Sequence, residues 1–195
     1  MPTPPETSAS EPDARAGFES LALPYVDHVY RAAYGLTGNP AEAEDLTQDT
    51  YLRAFQAYEG YRGGSAKVWL LTILRNAFID RYRRRRPEPL DIDDDALTHA
   101  SANGNDVLLA PGAEEQLMSA GLAEEVDRAL GALPPEWRLV IVLADLENLS
   151  YSEIAAITET PVGTVMSRLH RSRKRLHGAL MDFARLAGYT RTMGS

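Results

Sequence analysis

The sequence predicts an all-α fold: two small helical domains joined by a flexible acidic linker. Three observations carry that prediction. Apolar residues recur at intervals of three and four through most of the chain. Cap residues (Asn39, Ser65, Ser150 and Thr160) stand just before the periodic runs they would begin. Residues 87–115, by contrast, hold eight acids, no Lys or Arg and little period, with Asn, Gly and Ser among them, which is the composition of a linker. A chain of 195 residues has room for one average domain or two small ones. Its 44% apolar content argues against wholesale disorder.

Residues 1–17 are rich in Pro, Ser and acid and read as a disordered tail, without the basic and then apolar segments of a secretory signal. Leu21, Tyr25, Val29, Ala32 and Leu36 form the apolar side of a first amphipathic helix. Gly38-Asn39-Pro40 interrupts it. Asn39 caps the next helix, Pro40 fits its first position, and Glu42 has capping-box spacing. That helix, from about 40 to 58, carries Asp45, Gln48, Asp49 and Arg53 on its polar side, and Leu46, Tyr51, Leu52 and Phe55 supply apolar surface. Gly60, Gly63 and Gly64 make a loop. Ser65 caps a third helix with a broad apolar side of Val68, Trp69, Leu71, Ile73, Leu74, Phe78 and Ile79, stopped by Pro87 and Pro89. The first domain is therefore placed at 18–86 and the linker at 87–116.

The second domain, 117–184, opens with a short helix through Leu122, Val126, Ala129 and Leu130. Another runs from 136 to 146, with Val140, Ile141, Leu143 and Ala144 as core candidates. Ser150 and Glu153 have capping-box spacing ahead of Ile154, Ala155 and Ile157. A turn follows; Thr160 caps and Pro161 starts a last helix backed by Val162, Val165, Leu169 and Leu176. A short helix, a tight turn and a basic helix make a helix-turn-helix pattern. Residues 185–195 form a C-terminal tail.

Charge placement narrows the function. The net charge is -8, yet Arg and Lys concentrate in two helices, 67–86 and 161–176, an arrangement suited to reading a polyanion. In the last helix Thr164, Ser167, Arg168 and Arg171 are the polar residues near the start and middle, with Arg173 and Lys174 beside them. Such residues reach base edges in the major groove while flanking cations hold phosphates. Beside the earlier basic helix, the loop at 58–65 combines Tyr58, Tyr61, Arg62, Gly64 and Ser65. Its tyrosines either stack on unpaired bases or pack a helix end; Arg75, Arg81, Arg83 and Arg84 suit phosphate contacts. Trp69 is read as core. The face of Asp45, Gln48, Asp49 and Arg53 follows i, i+3/i+4 steps; it serves either a basic protein partner or solvent. With no cysteine, disulfides, thiolate zinc sites and thiol catalysis are excluded. His28, His99, His170 and His177 lack compact ligand spacing, and there is no phosphate-cradling glycine motif. No cofactor, metal or catalytic residue is expected. No apolar run approaches the ~18 residues of a membrane span, so the chain reads as cytoplasmic.

Three segments in order resemble bacterial RNA polymerase sigma factors of the extracytoplasmic-function type, group 4 of the sigma-70 family. Residues 39–51, NPAEAEDLTQDTY, resemble the polymerase-binding segment; residues 67–83, KVWLLTILRNAFIDRYR, the −10 promoter helix; residues 161–173, PVGTVMSRLHRSR, the −35 reading helix. The resemblance covers 18–86 and 117–184 and implies the region 2 helical bundle and the region 4 helix-turn-helix. It assigns Asp45, Gln48, Asp49, Leu52 and Arg53 to core polymerase (the clamp helices of the beta-prime subunit, with the beta flap as a further contact). It assigns Tyr58, Tyr61, Arg62, Gly64, Ser65, Lys67, Arg75, Asn76, Arg81, Arg83 and Arg84 to −10 DNA. Ser150, Thr160, Pro161, Val162, Gly163, Thr164, Ser167, Arg168, Arg171, Arg173 and Lys174 are assigned to −35 DNA.

Two departures stand out. Relatives often carry Thr-Asn where this chain has Ser65-Ala66, and glycine where it has Glu159. The resemblance further implies an anti-sigma partner. Ala144-Asp145-Leu146, the 150–155 segment and Met166 point to an actinobacterial thiol-oxidative-stress group, whose partners are often soluble zinc proteins with reactive cysteines. The competing reading is a stand-alone helix-turn-helix regulator, which accounts for 161–176 but leaves the first domain unexplained.

Overall fold

The structure is a computed structural model describing residues 11–85 and 113–186, with side chains described from 14 and 121 onward in the two stretches. Most of the expected linker and the ends of the chain lie outside the described residues. Among the described residues the secondary structure is helical: α1 (Glu11–Ala22), α2 (Val26–Thr37), α3 (Pro40–Ala57), α4 (Ala66–Arg85), α5 (Ala113–Gly131), α6 (Pro135–Ile141), α7 (Tyr151–Thr158) and α8 (Val162–Leu186). No helix there is long and apolar enough to cross a membrane.

Two expectations at the N-terminus are corrected. Residues 11–17, read as tail, belong to α1, because Phe18 gives that helix an anchor. Its ring meets Phe55 and Tyr58 edge-on, with centroids 5.3 and 5.6 Å away, and tertiary packing of this kind is what holds short helices together. The single helix expected through Leu21 and Leu36 is broken by a 3-10 turn, Leu23–Tyr25. Pro24 lies in that turn, lacks an N–H and clashes with the preceding turn of a continuous helix.

The rest of the first module follows its sequence signals. Gly38 takes φ 65° and donates its N–H to Tyr34 O at 2.7 Å, ending α2 in a left-handed cap. Asn39 Oδ1 accepts the Glu42 N–H at 3.1 Å to start α3. Ser65 Oγ accepts the Val68 N–H at 3.3 Å to start α4. Val29, Leu36, Leu46, Leu70, Leu71 and Leu74 are fully buried where α2, α3 and α4 meet. Tyr51 reaches α1 by donating to Ala22 O at 2.8 Å; its burial pushes the phenol up to about 12.

In the second module the helix expected over 136–146 closes as α6 and continues as a π turn, Val142–Leu146. The wider turn shows in the Glu147 N–H, which donates to Val142 O at 3.1 Å. Both halves of the Ser150–Glu153 capping box form at the start of α7. The turn after α7 places Glu159 in the left-handed region, φ 54°. Thr160 does not cap α8 through its hydroxyl, which lies 2.8 Å from Thr158 Oγ1; the Pro161 carbonyl accepts the Thr164 and Val165 N–H groups instead. Val165 and Leu169 are buried as expected, whereas Leu122 and Val162, assigned to apolar packing, are 48% and 42% exposed. Both stand on the outer side of amphipathic helices whose inner positions are already filled.

The modules are docked, and one hydrophobic core runs through both. Gly35 of α2 lies against the π turn so closely that a Cβ there would sit 2.9 Å from Val142 Cγ2. Arg138 crosses the junction, donating to Leu36 O at 2.8 Å, and it also donates to Gly131 O. It thereby places its cation at the carbonyl ends of α2 and α5, where helix dipoles favour positive charge. Burial lowers its proton affinity.

Leu74 and Leu52 are predicted to differ sharply in stability. Leu74→Ala in the sealed core should cost about 2–5 kcal/mol, while Leu52→Ala on the surface stays within about 0.5 kcal/mol of the parent. Urea unfolding of both variants checks the contrast.

Candidate nucleic-acid interface

The acidic face of α3 is a mixed-charge surface shared with α4. Arg53 Nε lies 3.0 Å from Asp49 Oδ1, and its Nη1 lies 2.9 Å from Asp80 Oδ2. These carboxylates raise the proton affinity of Arg53, keeping it cationic. Arg81, assigned by sequence to a DNA phosphate, instead donates to Asp45 O at 2.7 Å and sits 3.5 Å from Asp49. Asp45, Gln48, Asp49, Leu52, Arg81, Arg84 and Arg85 together line an open concavity of about 500 Å³. Leu52 and Phe55 stand beside these charges 64% and 46% exposed. Exposed apolar side chains therefore lie among paired charges on this face.

The loop before α4 is held by its own contacts. Tyr61 donates to Gly64 O at 2.7 Å, and its ring packs on Trp69 with centroids 4.8 Å apart. Gly63 and Gly64 take φ 91° and 99°, a region that side chains disfavour. Tyr58 turns inward against Phe18, so of the two tyrosine readings helix-end packing describes Tyr58. Arg62 donates to Glu59 O at 2.8 Å. Arg83, Arg84 and Asn76 are exposed.

Two of the expected DNA-facing cations on α4 point at the second module. Lys67 Nζ lies 2.9 Å from Glu147 Oε2 and donates to Glu147 O at 2.8 Å. Arg75 donates to Thr158 O and to the Glu159 carboxylate, both at 3.2 Å. The acid at Glu159 therefore has a partner here.

On α8 the outward residues are Val162, Gly163, Met166, Ser167, His170, Arg171 and Lys174, with Thr164 half-buried. Arg168 turns inward to Glu136 at 2.8 Å, and Arg173 pairs with Asp145 at 2.5 Å. Arg171 and Arg175 lie over the Trp137 ring, 5.8 and 4.8 Å from its centroid. Met166 and His170, which were not among the residues assigned to DNA, are also exposed; each lies three positions after an assigned residue, Gly163 and Ser167. Glu147 was missed outright, since a single acid in a loop carries no period. No group of three or more His, Cys, Asp or Glu that could hold a metal occurs among the described residues.

Ser150 was assigned to DNA, but its hydroxyl is committed to the start of α7. It donates to Glu153 Oε2 at 2.6 Å, and its backbone N–H donates to the same oxygen at 2.8 Å. Those two donors hold the Glu153 carboxyl below the usual carboxylate range. A depressed carboxyl contributes stability above its unfolded pKa that is lost as pH falls through the folded one. Ser150→Ala is predicted to raise the Glu153 midpoint and shift acid loosening of α7 to higher pH, read by NMR titration of the Glu153 side chain.

Comparisons with known proteins agree with this arrangement. Residues 21–88 match the Sigma-70 region 2 family and residues 123–176 match Sigma-70, region 4. The chain is 39% identical over 170 residues to "ECF RNA polymerase sigma factor SigE" of Mycolicibacterium smegmatis, spanning 86% of this chain and 63% of that protein. It is 34% identical over 170 residues to "ECF RNA polymerase sigma factor SigW" of Bacillus subtilis, spanning 85% and 89%. Among solved structures, the sigma factor RpoE in complex with the anti-sigma factor NepR from Bartonella quintana aligns with a TM-score of 0.62 and 28% identity, covering 85% of this chain and 97% of that one. CnrH in complex with the cytosolic domain of CnrY aligns with a TM-score of 0.58 and 26% identity, covering 86% and 89%. With both sigma-70 regions in order and relatives matched across most of their length, the chain belongs to the ECF family of RNA polymerase sigma factors.

Proposed function

We propose that this protein is an alternative sigma factor: it joins core RNA polymerase, recognises −35 and −10 promoter elements and assists strand opening in the cytoplasm, without covalent chemistry of its own. The observation that carries this reading is the pairing of two differently built surfaces in one chain, an exposed apolar and charged face on α3 and an outward polar face on α8. In this proposal residues 18–86 bind polymerase and the −10 strand, 117–184 bind −35 duplex, and 87–116 link them. Asp45, Asp49, Leu52 and Arg53 meet the clamp helices. The Tyr61 loop, with Arg83 and Arg84, supports unpaired −10 bases, offsetting part of an unpairing cost of a few kcal/mol. Thr164, Ser167, Arg171 and Lys174 face the −35 groove, and Met166 and His170 join them.

We further propose that an anti-sigma protein binds this chain and holds it inactive; the similar sigma factor RpoE of Bartonella quintana is solved in complex with the anti-sigma factor NepR. Because this chain has no cysteine, a thiol signal of the kind the sequence resemblance suggests has to be sensed by that partner, a zinc-binding one in this reading.

Reconstitution with sigma-free core polymerase is the test. The chain should join core and initiate at discrete sites across a panel of candidate promoters; failure on both counts sinks the sigma reading in favour of a stand-alone DNA-binding regulator. Leu52→Asp is predicted to weaken core assembly at least tenfold while leaving duplex binding within twofold, about 1.4 kcal/mol being one decade. Lys174→Ala should lower affinity across all −35 sequences and reduce the salt slope by about 0.9, as loss of one duplex phosphate contact would.

A further inference from the structure

Glu147 is the most buried acid among the described side chains. Its side chain is 0% exposed, and the residue caps the π turn just before Asn148, which takes φ 55°. Three cationic or imidazole groups of the first module converge on its carboxylate. Lys67 Nζ lies 2.9 Å from Oε2, His28 Nδ1 lies 2.6 Å from the same oxygen and 2.8 Å from Arg31 Nη2, and Arg31 Nε lies 3.4 Å from Oε1. One step along α4, Arg75 meets a second acid of the same module, Glu159. Lys67 and Arg75 are eight residues apart on one helix, roughly 12 Å at 1.5 Å per residue. Two carboxylates of the second module thus lie along a cationic edge of the first.

That edge is suited to phosphates. A Lys and an Arg converging on one point bind carboxylate and phosphate oxygens through the same charge-assisted hydrogen bonds. The edge also adjoins the Ser65 cap and the Tyr61–Trp69 pair, where the unpaired strand is placed above. Closure over it is imperfect: Glu147 Oε1 is buried without a hydrogen-bond partner. A carboxylate held in this way loses water that its contacts replace only in part, so the desolvation cost offsets much of the ion-pair attraction. Such a junction can be displaced by a strand that brings many phosphates and releases counterions.

We infer that His28, Arg31 and Lys67 form a binding site for a single-strand phosphate, and that Glu147 fills it as an internal phosphate mimic when the two modules are closed. The inference rests on the sigma reading and adds His28 and Arg31 to the strand path. It also makes module closure and strand binding mutually exclusive, so that the free chain binds strands only in the fraction of time it is open.

The test uses the full chain and a fluorescein-labelled oligothymidylate, followed by anisotropy across salt. Glu147→Gln should raise affinity roughly three- to tenfold by increasing the open fraction. Gly35→Val, which leaves every charge in place and forces the junction apart by sterics, should give a gain of the same sign. Adding Arg31→Ala to either variant should remove the gain and lower the single-strand salt slope by about 0.7. Circular dichroism confirms that the helices persist, and Gly35→Val keeps the test alive if Glu147→Gln fails to fold. Wild-type affinity in the folded opening variants, or a gain that Arg31→Ala leaves intact, overturns the site and makes Glu147 a structural ion pair only. Core assembly and initiation by the unmutated chain report separately on the sigma reading, and their success alongside flat strand affinity refutes this inference alone.

Discussion

Burying one carboxylate between two helical modules constrains nearly everything around the junction. An ion removed from water costs several kcal/mol unless opposite charge and hydrogen bonds replace the lost solvent. Here the replacement comes from His28 and Arg31 on α2 and from Lys67 at the start of α4. The carboxylate reaches them because the backbone widens into a π turn and then turns left-handed at Asn148. Gly35 lets the same turn approach α2, and Arg138 ties the carbonyl end of that helix to the second module. Small backbone irregularities in one module thus meet a smooth helical surface in the other.

The overall acidity and the basic helices are parts of one arrangement. Acids on the second module, Glu147 and Glu159, cover cations of α4, while the Asp49 carboxylate and the Asp45 backbone carbonyl engage Arg81 at the other end of that helix. Cations grouped for a polyanion would repel one another in a compact chain without such partners. Helix α4 thus carries ion pairs to the second module at one end and to α3 at the other.

Much of this was legible in the sequence, for local reasons. Asn39, Ser65 and the Ser150–Glu153 pair state where helices begin, and the spacing of Leu46, Leu70 and Leu74 states which side is buried. The helix-turn-helix was readable because its cap, turn and apolar periods all lie within a few residues. The tail at 11–17 misled because Phe18 acts through partners on α3, more than thirty positions away. Pro24, although in plain view, was overruled by the period around it. Glu147, Arg138 and the docking of the modules depend on contacts across 80 to 119 positions, which no periodicity records. Among the site residues, Arg75 and Arg81 were expected on phosphates and pair within the chain with Glu159 and Asp49, since charge is local information and pairing is not.

In the proposal above, the modules are closed in the free chain and part when they engage polymerase and promoter. The absence of cysteine allows clean paired labelling at Gln56→Cys and Glu124→Cys, both on exposed positions. Electron–electron resonance distances measured on the free chain and on the reconstituted promoter complex give the most direct test. The account predicts one short, narrow distance in the free chain and a longer one in the complex. A distance unchanged between the two states would contradict it.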